Sequence, residues 1–197
     1  MKRRTVVLLF GAVALTVIAA LFLMLLLQSR SEPDPELRED EAEAPAELTV
    51  ELYFANVERD PEAVCDRVFA VERMVPVGMP RVEAALRELV AGPEPEERER
   101  GYSSFFSMAT ASRVRSVHTE GSTVYLDLRD SRQELTGANS SCGSASLLAQ
   151  LEQTAYANGG YERVIVAFDG EPERFYEWLQ IGCAAATALC DPAPFKR

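Results

Sequence analysis

The chain is 197 residues long, with 20 Lys+Arg against 31 Asp+Glu for a net charge of −11, one His, four Cys and one Trp. That length holds one ordinary domain with appendages, and the acidic balance removes the phosphate attraction on which nucleic-acid binding rests. With His118 as the single histidine, a His-rich metal site and a paired-histidine mechanism are excluded too, and no cofactor is expected.

Residues 1–4 are a basic start (Lys2, Arg3, Arg4), and from Thr5 to Leu27 no residue is charged and nearly all are apolar. Twenty-three residues at ~1.5 Å each give about 34 Å of helix, enough for a hydrocarbon core of roughly 30 Å. The run ends without an Ala-x-Ala step, which favours an uncleaved transmembrane anchor over a removed signal peptide. The first cysteine, Cys65, lies too late for acylation at a lipoprotein-type cleavage site. Basic residues before the span and acidic ones after it place the N-terminus inside and the C-terminal domain outside. Residues 28–47 follow as a tether: between 31 and 47 there are three prolines and eight acids against the single Arg38. Such a stretch cannot bury enough apolar surface to offset its ordering entropy, so it extends by self-repulsion.

The remaining 150 or so residues are enough for a real core. Leu48, Val50, Leu52 and Phe54 alternate with polar neighbours as a half-buried strand does. A second strand is predicted over 66–75, closed by Pro76. Pro80 opens a helix with Val82, Ala85, Leu86, Leu89 and Val90 on one stripe, ended by Gly92-Pro93. Residues 94–100 read as charged and solvated, and 101–108 as a loop with Phe105 and Phe106 tucked inward. Strands over 113–118 and 123–129 flank a Gly121-Ser122 turn. A helix over 142–157 is stopped by Asn158-Gly159-Gly160. Val164–Phe168 is apolar throughout, like a strand covered on both faces, and a short helix containing Trp178 follows over 172–179. The expected fold is α/β (α+β): one mixed sheet of about five strands with two main helices packed on it, in the order β-β-α-β-β-α-β, within a domain spanning 48–170 and followed by a tail over 171–197.

Cys65, Cys142, Cys183 and Cys190 fall on the presumed outer side of the membrane, where disulfides persist. Four cysteines allow three pairings, and spacing does not choose among them. A helix joining Cys183 to Cys190 would hold their Cα atoms about 10 Å apart, beyond disulfide reach, so that bridge requires a non-helical or broken segment. Joining Cys65 to Cys142 would staple two halves of the sheet layer. The absence of a C-x2-C pair argues against zinc, and a reactive thiol has only His118 as a possible base.

Candidates for chemistry are few. Asp127, Asp130 and Asp169 end strands and offer a carboxylate pair or an oxygen-rich cation site, or else simply form turns, as Asp169-Gly170 suggests. The stretch 139–144 is either an anion-binding helix start or an ordinary capped one. No G-x-S-x-G, phosphate-loop, H-E-x-x-H or Rossmann pattern is present.

The runs TVELYFAN, CDRVFAVERMVP, ELVAGPEPEERERGYSS, RVRSVHTEGSTVYLDL and SCGSASLLAQLEQTAYANGGYERVIVAFDG together resemble the GerMN domain family of bacterial sporulation and spore-germination proteins. The resemblance covers 48–170. It implies a small outward-facing α/β domain similar to the ring-building modules of secretion-type assemblies, and no catalytic residues. A cysteine before the second strand and another opening the second helix match the family's pattern, which implies the pairs Cys65–Cys142 and Cys183–Cys190. The chain differs in having a single such domain and in its tail WLQIGCAAATALC. The expected function is a non-enzymatic, membrane-tethered binding or assembly domain of the bacterial cell envelope. Its expected partners are the membrane, through the N-terminal helix, and an envelope protein or a small ligand. The alternative is an envelope hydrolase using Asp127 and Asp169.

Overall fold

The computed structural model describes Met24, residues 46–183 and residues 189–196. The basic start over 1–4, the expected span over 5–27 (Met24 apart), the tether up to residue 45 and residues 184–188 and 197 lie outside the described residues. Among the described residues no helix is long and apolar enough to cross a membrane. The chain divides into two units, Met1–Ala44 and Pro45–Arg197, and the strands belong to the second.

Strand β1 (Glu47–Asn56) buries Val50, Leu52, Phe54 and Asn56 on one face, the period-two pattern of a sheet covered on one side. It pairs antiparallel with β2 (Phe69–Pro76), Leu52 opposite Val71, and its last two residues pair with the short β3 (Tyr102–Ser103). Strands β4 (Val114–Glu120) and β5 (Thr123–Leu128) form the hairpin around Gly121-Ser122, and β6 (Arg163–Phe168) lies parallel to β5. The parallel pair needs a long crossover, supplied by the helix we label α3 (Ser141–Ala157).

One sheet of about five strands was the sequence-based expectation; the structure instead has two three-stranded sheets, β2-β1-β3 and β4-β5-β6. The reason is that helix side chains occupy the strand edges that would have extended them. On β1, the Tyr53 amide donates to Thr154 Oγ1 at 3.0 Å and the Glu51 amide to Asn158 Oδ1 at 3.2 Å, while Asn158 Nδ2 donates to the Glu51 carbonyl at 2.6 Å. On β6, the Val166 amide donates to the Tyr176 hydroxyl at 3.2 Å. Each satisfies backbone groups that burial would otherwise leave unpaired. Asn158 also donates to the Thr154 carbonyl and accepts from Arg81. Replacing Asn158 by Ala is expected to lower the unfolding free energy by about 2–3 kcal/mol, because buried groups lose their partners; urea denaturation of the two proteins measures it.

Helix α1 (Arg81–Ala91) lays Val82, Ala85, Leu86, Leu89 and Val90 into the core. It stops at Gly92, where φ is 79° and a Cβ would run into the Phe106 carbonyl, so both backbone and space demand glycine. Two further elements replace the loops expected from sequence. Residues 95–99 form α2 (Pro95–Glu99), closed by a Glu94–Glu97 capping box, and part of the 101–108 stretch is β3. The solvated reading of 94–100 fails at Glu97, which is buried because its carboxylate meets Arg73. Helix α4 (Pro172–Trp178) adds Phe175 and Tyr176, followed by Leu179, to a core shared by both sheets.

Burial pushes the Tyr176 hydroxyl up to about 12 from its ordinary 10. A folded-state pKa above the unfolded one gives stability that is complete below about pH 10 and is lost as pH rises towards 12, about 2–3 kcal/mol in all. Tyr53, bonded to the Glu51 carboxylate, is pushed up to about 12 as well. The expected result is therefore a difference: between pH 10 and 12 the wild type loses more stability than Tyr176→Phe, as read by urea denaturation at each pH.

Candidate functional site

Beyond β1 the chain makes an irregular loop that its own polar side chains hold in place. Asn56, buried, accepts the amides of Glu58 and Arg59 at 3.0 Å each and donates to the Arg100 carbonyl at 2.9 Å. Asp60 accepts the Val64 amide at 2.7 Å and the Arg67 guanidinium at 2.6 Å. Arg59 lies over the Phe69 ring, 4.4 Å from its centroid. The loop is then bonded to the first turn of α3 by the Cys65–Cys142 disulfide, whose Cα atoms are 4.9 Å apart. That turn is held by the Ser140 side chain, which accepts the Gly143 amide at 3.0 Å, so the 139–144 stretch is a capped helix start.

Between loop and helix lies an open groove of about 530 Å³. Its walls include Val57, Val64, Phe105 and the disulfide itself. Val57 is 71% exposed and Val64 38%, so two apolar side chains stand open to solvent in one concave patch. The charges at its edge, Asp60 and Arg67, neutralise each other. A rigid apolar groove without free charge suits an apolar protrusion of a partner and not an ion. Among the described residues, no group of three or more His, Cys, Asp or Glu is arranged to hold a metal.

The structure brings Asp127 and Asp169 together and leaves Asp130 apart. Arg115 Nη1 stands 3.1 Å from Asp127 and 3.6 Å from Asp169. Asp169 (φ 52°) and Gly170 (φ 78°) form the tight turn after β6, and Asp127 Oδ1 accepts the Gly170 amide at 2.8 Å. Burial raises the Asp127 carboxyl above the ordinary carboxylate value, against the lowering influence of that amide and of Arg115. Asp130 instead binds Arg132 at 2.5 Å, which holds its carboxyl below the ordinary value. His118 is half-buried, stacked on Tyr125 at 4.9 Å, with Phe195 edge-on at 6.1 Å. The second disulfide joins Cys183 to Cys190, Cα atoms 5.7 Å apart. Sequence reasoning missed the groove: the only hints were Asn56 and Asp60 bracketing a strand end, and an exposed valine has no signature of its own.

Fold and site together define a small disulfide-braced α/β domain with an open groove between loop and helix. The family model for Germane, sporulation and spore germination, matches residues 51–174, and the chain belongs to this family. No curated protein and no solved structure matches the chain.

Proposed function

We propose that this protein is a membrane-tethered, non-enzymatic binding or assembly domain on the outer face of a bacterial cytoplasmic membrane, serving sporulation or germination as its family's description suggests. Its partner is an envelope protein that inserts an apolar side chain into the groove beside Cys65–Cys142. The observation that carries this reading is the exposure of Val57 and Val64 at a groove whose walls are fixed by a disulfide and by side-chain bonds. Pre-formed concave apolar surface is what a partner's anchor residue needs. Photo-crosslinkers placed at Val57 and Val64 in the full chain are expected to give a discrete adduct in the membrane fraction. An adduct equally strong from an exposed position elsewhere, or the chain recovered from the soluble fraction, would overturn the reading.

One observation favours a hydrolase instead: Asp127 and Asp169 converge, and the buried one is raised. Both Asp127 oxygens, however, are engaged, one by the Gly170 amide and one by Arg115, as suits a turn staple better than a general acid. Hydrolysis of envelope material by the purified chain that Asp127→Asn abolishes without unfolding it would establish the hydrolase.

A further inference from the structure

A second cleft, of about 550 Å³, is lined by Arg113, Asp130, Arg132, Gln133, Glu134 and Trp178 and shares no residue with the groove. The Trp178 ring forms its aromatic wall. It is held by the buried Phe168 and Phe175, with centroids 5.5 and 6.2 Å away. The polar wall is a loop set firmly in the core. Leu135 and Ala138 are fully buried, the Leu135 amide donates to the Ser131 carbonyl at 3.0 Å, and the Ser131 hydroxyl donates to the Arg129 carbonyl at 2.6 Å. Arg113, just before β4, adds a guanidinium.

The charges select the ligand class. Arg132 is bonded to Asp130 and Arg113 to Glu134, so the cleft holds two cations and two anions already matched. A phosphate would have to separate these pairs and then lie beside two carboxylates; an ammonium would meet the mirror-image difficulty. A hydroxyl both donates and accepts hydrogen bonds, so it can donate one to a carboxylate and accept one from a guanidinium N–H without separating either pair. Adjacent hydroxyls on a ring match planar guanidinium, carboxylate and amide groups, while the ring's C–H face packs on an indole. The lining is mostly polar, with Trp178 as its one aromatic surface, and a cleft of this size that sets hydrogen-bonding groups around a single ring suits a small polar ligand. We propose that this cleft binds a neutral sugar, most simply a short oligosaccharide.

Trp178 is the chain's only tryptophan, so its fluorescence reports on this cleft alone. The full chain, in detergent, would be titrated with chitotetraose, cellotetraose and maltotetraose, with inorganic phosphate as the charged control. The expected result is a saturable change in emission with at least one neutral sugar and none with phosphate. Binding should weaken by about tenfold or more in Gln133→Ala and in Asp130→Asn, which keep the reporter, and calorimetry should detect none in Trp178→Phe, which keeps an aromatic ring on Phe168 and Phe175. Circular dichroism melting checks that each variant is folded. Silence with all three sugars in both fluorescence and calorimetry overturns the proposal. So does saturation by phosphate, or sugar binding that these folded variants leave unchanged. A groove without a partner leaves this result untouched, since the two sites share no residue.

Discussion

Arg73→Ala is expected to cost about 3–5 kcal/mol of unfolding free energy, the largest effect of any single substitution considered, because it leaves a carboxylate buried without its counter-charge. Arg73 lies on the core face of β2 and Glu97 on α2; their side chains are 7% and 4% exposed. The guanidinium donates through Nε to Glu97 Oε1 at 3.0 Å and through Nη2 to Oε2 at 2.5 Å. It donates further to the Gly92 carbonyl at 2.8 Å and to Glu88 Oε2 at 3.1 Å. Glu97 in turn accepts the Glu94 amide at 2.7 Å. Burial alone would lower the Arg73 pKa, but the glutamates outweigh it and raise it, so the cation persists at every accessible pH. The cost belongs to breaking the pair and not to lacking it. An Arg73→Met, Glu97→Leu double variant should therefore recover much of the loss, and urea denaturation of the set, read as a double-mutant cycle, measures this.

Removing the Cys65–Cys142 bridge by Cys65→Ala with Cys142→Ala is expected to cost about 4 kcal/mol, whereas removing Cys183–Cys190 should cost roughly 2 kcal/mol. The difference follows from loop length: the first bridge spans a separation of 77 residues and the second only 7, and a longer closed loop removes more entropy from the unfolded chain. Thermal and urea unfolding of the two double variants, each with the other bridge intact, gives the comparison. The first variant should also lose any adduct formed through Val57 and Val64, because the bridge joins the two walls of the groove; the second should keep it.

The extent to which the fold was legible follows from where its signals are written. Strands and helices with one apolar face announce themselves by periodicity, so β1, α1, α3 and β6 were readable within a few residues. The division into two sheets was not, because it depends on Thr154, Asn158 and Tyr176 reaching strand edges far away in sequence, and hydrogen-bonding reach leaves no periodic trace. Residues 94–100 looked solvated because nearly all are charged, and burial of Glu97 depends on a single distant partner. That partner did carry a clue: Val71, Arg73 and Val75 share one face of β2, and a charge on an apolar face requires a counter-charge. The aspartates were legible as strand ends, and the meeting of Asp127 and Asp169 at Arg115, with Asp130 left apart, required the fold. Cys65 and Cys142 were legible as candidates, and their pairing rested on family resemblance.

The closure of the β1 edge by helix α3 bears on how the domain carries mechanical load. β1 starts at Glu47 and its far end opens into the loop that forms the groove. Tension between Ala46 and anything gripping that groove runs along one strand, at right angles to the hydrogen bonds that hold it. Because the strand is already extended, its covalent backbone carries that tension, and the bonds to β2 and the clamps from Asn158 and Thr154 are spared it. A grip on the α3 wall of the groove reaches the same backbone through the Cys65–Cys142 bond, so a pull on either wall has a covalent path to Ala46.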